Sequence, residues 1–212
     1  MNIFITGMTG TGKTTLAGYL LSTAEKPIFG FTNKEEDIKV IESTSGKIFR
    51  RIHVTDRTYL KHLPDDRNVF FVWSFIEQRN KLKFMDRFAN MCMQKTNKLI
   101  YIDEAHEVLG EGQTYSKRLE ALISGGRIKK LDVIVITQRP QNVIKSVLNN
   151  CRYKIVFKLN EPNAIMSMKK NLDGKAEIEK LELYSYLVYD AYSGEYEINR
   201  PIKLPSVEYV IK

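Results

Sequence analysis

Gly7-Met8-Thr9-Gly10-Thr11-Gly12-Lys13-Thr14 stands between a strand-like run, Asn2 to Thr6, and a helical run, Thr14 to Leu21. This is the pattern G-x-x-x-x-G-K-[ST], in the strand-to-helix context that a phosphate-binding loop requires. No other segment constrains the fold as much, because a strand that feeds a helix through a glycine turn belongs to a parallel sheet covered by helices. The glycines let backbone N–H groups close around phosphates, and the helix N-terminus adds a dipole that favours negative charge. Gly7, Thr9, Gly10, Thr11, Gly12, Lys13, Thr14 and Thr15 are therefore the expected nucleotide contacts. Lys13 is expected on the β- and γ-phosphates of ATP, and the Thr14 hydroxyl on Mg²⁺.

Ninety residues after Lys13, the apolar run Leu99 to Ile102 ends in Asp103-Glu104. An aspartate ending a strand can hold Mg²⁺, and an adjacent glutamate can polarise water for attack on a γ-phosphate. Asp103 is assigned to the metal and Glu104 to the water; a helix-starting acid is the alternative role for Glu104. Asp103 to His106 also spells D-E-A-H, but the second motor domain and paired arginine motif of the helicases with that signature are missing, so His106 is read as a helix-surface or packing residue. A further apolar strand, Val133 to Thr137, runs into Gln138, whose amide can donate to a phosphate and accept from a water. The alternative for Gln138 is a turn residue before Pro140.

The remaining strand-like runs are Pro27 to Phe31, Val69 to Val72, Ile155 to Lys158, Tyr186 to Asp190 and Tyr196 to Asn199, the last two joined around Ser193-Gly194 as a hairpin. Ser74 and Glu77 read as a capping box before a helix that buries Leu82, Met85, Phe88 and Cys92, and Trp73 reads as a packing residue. Gln113 to Lys129 reads as another helix, broken near Gly125-Gly126, with one or two short helices after Pro162. Thr32 to Asp66 suggests nothing. Alternating strands and helices over 212 residues predict one α/β domain spanning residues 1–212, with its ligand at the carboxyl ends of the strands.

The net charge of +8 suits a polyanionic partner, although the basic residues are scattered and form no tract. Cys92 and Cys151 read as buried hydrophobes in a reducing compartment. No run approaches the ~20 apolar residues of a membrane span, and the early loop leaves no room for a signal peptide, so a soluble intracellular protein is expected.

The loop, the Asp-Glu strand, Gly126-Arg127 before an apolar strand and Thr137-Gln138-Arg139 after it resemble the FtsK–HerA superfamily of DNA-pumping ATPases. The chain looks closer still to the genome-packaging NTPases of turreted icosahedral archaeal viruses, with Lys154 to Pro162 and Tyr186 to Pro201 resembling that family's late strand, Glu-Pro turn and closing hairpin. The resemblance implies a three-layer P-loop NTPase of the RecA-like, additional-strand class, with a mostly parallel central sheet and a C-terminal β-hairpin. It also implies a ring of five or six copies in which an arginine completes the neighbour's site. By position, eleven residues before Gln138, that arginine is Arg127; Arg139 and Arg118 are the fallbacks. An arginine finger of this kind is worth roughly 10³ to 10⁵ in rate.

The expectation is an Mg²⁺-dependent ATPase that drives double-stranded DNA through a channel without sequence preference, into a viral procapsid in the host cytoplasm, docking on a capsid vertex protein and not on a membrane. Gly110 to Arg118 is a candidate pore loop, with Lys117 and Arg118 as phosphate grips. Three readings compete. A nucleotide or nucleoside kinase shares the loop but has no use for Glu104 beside Asp103. A phage- or conjugation-type secretion motor shares the chemistry at a membrane. A slow nucleotide-dependent switch would tolerate loss of Glu104.

Overall fold

The strand that precedes the phosphate loop, β1 (Asn2–Thr6), lies inside a sheet and is buried along almost its whole length. The computed structural model describes residues 1–63, 67–73, 76–112, 114–174 and 176–201. Along the chain β1 is followed by α1 (Lys13–Ser22), β2 (Ile28–Thr32), α2 (Glu35–Ser45), β3 (Arg50–His53), β4 (Val69–Val72) and α3 (Gln78–Met93). Then come β5 (Leu99–Ile102), α4 (Lys117–Gly125), β6 (Asp132–Thr137), α5 (Lys145–Asn150), β7 (Tyr153–Phe157), α6 (Pro162–Asn171), β8 (Tyr186–Asp190) and β9 (Glu195–Asn199).

Among the described residues the strands form one sheet in the order β3-β4-β2-β5-β6-β1-β7-β8-β9. The run from β3 to β7 is parallel, and β8 and β9 add an antiparallel hairpin. β6 lies between β1 and β5, which makes it the additional strand that separates the phosphate-loop strand from the Asp-Glu strand. This is the expected three-layer P-loop NTPase fold.

Side chains alternate between the two faces of each strand, so one strand feeds two cores. Phe4, Phe31, Phe71 and Trp73 point to the face covered by α3 to α6, whereas Ile5, Phe70, Tyr101 and Ile136 point to the face covered by α1 and α2. On the first face Phe31 stacks on Phe71 with ring centroids 4.9 Å apart and meets Phe88 of α3 edge-on at 4.5 Å. Trp73 is buried against Phe31, as a packing residue should be. Leu82, Met85, Phe88 and Cys92 form the buried stripe of α3. Both cysteines are free and buried.

Several elements depart from the sequence reading. The segment that suggested nothing holds α2 and the edge strand β3; the three acids in the first turn of α2 and Gly46 at its C-cap are ordinary helix boundaries. Glu77, not Ser74, occupies the cap position of α3, and Ser74 lies outside the described residues. The helix expected from Gln113 begins at Lys117, where the Ser116 side chain caps the Leu119 N–H; Gln113 itself lies outside the described residues. A tight 3-10 turn, Gly126–Lys129, follows where the paired glycines weaken the helix. The short helix α5 had no signal of its own.

Candidate functional site

The carboxyl ends of β1, β2, β5 and β6 converge on a cleft of about 540 Å³. Thr9 to Thr15 form its floor, Asp103, Glu104 and Gln138 one side, and Lys34, Asp37 and Val40 another; Phe157, Tyr184, Tyr186 and Pro201 complete the wall. Gly10 (φ 76°) and Gly12 (φ 98°) take left-handed conformations that a side chain would oppose. Gly7 does not line the cleft. A Cβ there would stand 2.5 Å from the Phe157 Cβ, so this glycine lets the loop lie against β7, where the Met8 N–H also donates to the Lys158 carbonyl over 2.9 Å.

Lys13 is buried and donates from Nζ to the Met8 carbonyl over 2.7 Å. Burial holds its ammonium pKa below the ordinary lysine range, and the charges of Asp103 and Glu104 partly oppose that shift. Asp103 follows β5; its Oδ1 accepts from the Glu104 N–H over 2.9 Å and its Oδ2 from the Thr32 hydroxyl over 3.3 Å. Burial, and then the negative charges of Glu104 and Asp37, push the Asp103 carboxyl up to about 7. Glu104 adopts φ 46° and ψ 48°, a left-handed conformation rare for a side chain this long and of a kind that clusters at functional sites.

Gln138 joins the two halves of the cleft. Its Nε2 donates to Glu104 Oε1 over 2.7 Å, while its Oε1 accepts from the Thr9 hydroxyl over 2.6 Å. Glu104 Oε2 is buried without a hydrogen-bond partner, with His106 Nδ1 3.5 Å away. His106 sits on a 3-10 turn, Ala105–Glu107, half-buried, with Nδ1 also 3.2 Å from the Thr137 hydroxyl. The left-handed turn at Glu104 thus brings His106, read from the sequence as a helix-surface or packing residue, against the glutamate.

The residues present fit a hard divalent cation. Thr14, Asp103 and Glu104 line one cleft, and the burial and neighbouring negative charges that raise Asp103 are what a nearby cation would offset. Among the described residues no group of three or more His, Cys, Asp or Glu is placed to hold a metal by itself. Mg²⁺ takes most of its ligands from water and nucleotide phosphates, so Thr14 and Asp103 would be enough to hold it.

The geometry thus gathers Lys13, Thr14, Asp103, Glu104 and Gln138 at one end of the sheet. Arg127 is elsewhere. It precedes β6, whereas Gln138 follows it, and the rise of a six-residue strand puts them roughly 20 Å apart. Arg127 is exposed and cannot act on its own chain's cleft. Of the other arginines, Arg139 adjoins Gln138 and is exposed, and Arg118 is exposed on the first turn of α4 beside Lys117. Gly110 in the candidate pore loop pairs with Val143 in an isolated antiparallel bridge.

Sequence reasoning missed Lys34 and Asp37, which the turn after β2 and the first turn of α2 carry into the cleft, and the aromatic wall of Phe157, Tyr184 and Tyr186. Tyr184, with φ 68°, is a second bulky residue in a left-handed conformation at the cleft. Aromatic rings at one side of a phosphate loop can stack on a nucleotide base. No local signal in the sequence marks this wall.

Comparison with known proteins agrees with this fold. The chain is similar in fold to the genome packaging NTPase B204 from Sulfolobus turreted icosahedral virus 2 in complex with AMPPCP: TM-score 0.73 at 18% identity, covering 94% of this chain and 97% of that one. It is similar to VirB4 of Thermoanaerobacter pseudethanolicus, with TM-score 0.69, 11% identity and coverages of 96% and 90%. It also matches ATPases 2 and 3 of EssC from Geobacillus thermodenitrificans, with TM-score 0.60 and 16% identity, over 90% of this chain and 37% of that one. No curated protein sequence matches. The phosphate loop, the Asp-Glu strand and the additional strand with Gln138 all fall within residues 1–141, which match the model of a family described as AAA domain, and the chain belongs to that family.

Proposed function

We propose that this chain is an Mg²⁺-dependent ATPase of the FtsK–HerA kind that works as a homo-oligomeric ring and moves double-stranded DNA, as in the packaging of a viral genome into a procapsid. The observation that carries the reading is the chain of contacts from Thr9 through Gln138 to Glu104, beside Lys13 and Asp103. It links the phosphate loop to the residue suited to activate water, which a protein that only bound nucleotide would not need.

In this reading the loop N–H groups and Lys13 hold the β- and γ-phosphates, and the aromatic wall takes the base. Thr14 and Asp103 would hold Mg²⁺, which when bound would supply positive charge against the phosphates. Glu104 orients water and accepts its proton, and Gln138 fixes Glu104 relative to the γ-phosphate. Arg127, at the opposite end of the sheet, serves the cleft of a neighbouring copy, which makes hydrolysis depend on assembly. Lys117 and Arg118 on the exposed start of α4 are the proposed DNA grips. Its place of work in this reading is the host cytoplasm; among the described residues no helix is long and apolar enough to cross a membrane. The similarity in fold to a protein described as a genome packaging NTPase supports the choice of DNA as cargo. A secretion-type motor is the second reading, favoured by the likeness to VirB4 over nearly the whole of both chains.

The test is steady-state ATP hydrolysis by the wild type, Glu104→Gln and Arg127→Ala across protein concentration, with and without long double-stranded DNA. Activity that rises with concentration and DNA, and collapses in both variants while nucleotide still binds, is the expected result. Concentration dependence without DNA stimulation points to the secretion-type motor. Activity independent of concentration, DNA and Arg127 sinks the motor.

A further inference from the structure

We propose that Tyr192, on the turn between β8 and β9, is the positioning residue that presents Arg127 to a neighbouring copy; the inference rests on the proposed role of Arg127. Arg127 Nη1 donates to the Tyr192 hydroxyl over 3.2 Å, across 65 residues of sequence. The hairpin expected to close the sheet therefore also reaches over the amino-terminal ends of the strands to hold one arginine.

A second arginine at the same place shows what that hold is for. Arg152 bonds Asp190 through Nη2 at 2.8 Å and Nε at 3.2 Å, and its guanidinium lies 4.8 Å from the Tyr192 ring centre. Asp190 also accepts from the Tyr192 N–H over 2.9 Å. Arg152 is thus neutralised and spent on fixing the turn. Arg127, by contrast, makes no ion pair among the described residues; it bonds a neutral hydroxyl and is exposed. A hydroxyl orients a guanidinium without cancelling its charge, which is the state a trans-acting arginine needs before it meets developing charge on a phosphoryl group.

The experiment compares wild type, Tyr192→Phe, Arg127→Ala and the double variant in DNA-stimulated ATP hydrolysis, with thermal unfolding as a check of the fold. Tyr192→Phe keeps the ring that Arg152 covers and removes only the hydroxyl. It is expected to lower kcat about tenfold with KM for ATP and the unfolding midpoint unchanged. The double variant is expected to be no slower than Arg127→Ala alone. Mixing supplies the readout that a merely structural role would not move. Glu104→Gln lacks the water-activating residue but keeps its arginine, so it should restore activity when mixed with Arg127→Ala or with Tyr192→Phe. Arg127→Ala mixed with Tyr192→Phe should gain nothing. If Arg127→Ala is weakened and is rescued by Glu104→Gln, but Tyr192→Phe has full kcat or its loss adds to that of Arg127→Ala, this inference falls and the finger stands. If Arg127→Ala keeps its activity, both fall.

Discussion

Gln138 and Glu104 stand at the ends of adjacent strands, and the amide Nε2 of one donates to Oε1 of the other over 2.7 Å. The bond fixes one carboxylate oxygen and leaves the other, Oε2, buried and unpartnered. His106 Nδ1 lies 3.5 Å from that second oxygen, and a carboxylate fixed through one oxygen suits the water-orienting role proposed for Glu104.

Gln138→Ala should therefore reduce ATP turnover by about 10²-fold while nucleotide affinity stays within a few-fold, because it removes one loop contact, to Thr9, and leaves Lys13 and the loop N–H groups in place. Glu104→Gln should cost more. Fluorescent-nucleotide binding together with steady-state hydrolysis checks both; a Gln138→Ala enzyme with normal kcat contradicts the role given to the bond.

Asp103 predicts a dependence of stability on pH. Its folded carboxyl is raised to about 7, above the ordinary value, so ionisation disfavours the fold. The penalty is absent below about pH 4, grows as pH rises towards 7 and is constant above it, amounting to a few kcal/mol at most. Asp103→Asn should then stabilise the nucleotide-free protein at pH 8 and progressively less as pH falls. Urea unfolding of both proteins from pH 5 to 8 tests this. A gain that is the same at every pH refutes the assignment.

Gly18 of α1 faces Thr44 of α2 so closely that an added Cβ would lie 1.8 Å from Oγ1 and 2.9 Å from the Thr44 Cβ. Gly18→Ala should destabilise by about 1–3 kcal/mol, outweighing its better helix propensity. Thr44→Ala removes the nearer atom and should rescue part of the loss. A stabilised Gly18→Ala single variant would show that the helices separate freely.

Burial pushes the Cys151 thiol up to about 12, and raises that of Cys92 further. The thiolate is the reactive form, so at pH 8 both should resist a thiol reagent in the folded protein and react together on unfolding. Fast labelling of either under native conditions would place that residue outside the core.

The phosphate loop, Asp103-Glu104 and Gln138 were legible in the sequence because each is local: a glycine spacing, or a polar residue that ends an apolar strand. The buried strands of a parallel sheet read as nearly continuous apolar runs, so most of the sheet was visible too. The edge strand β3 was not, since only one neighbour covers it and its sequence, Arg-Arg-Ile-His, carries no apolar pattern. Likewise nothing local marks Asp37 or Tyr184 as neighbours of Lys13, because the crossing of α2 over α1 and the return of β8 beside β7 bring them there. Sequence alone determined which residues could do the chemistry. Tertiary structure decided that His106 meets Glu104, that Gln138 ties the loop to the carboxylates, and that Arg127 lies a strand's length from its own cleft, because strand order and helix crossings fix distances between residues that the chain itself keeps far apart.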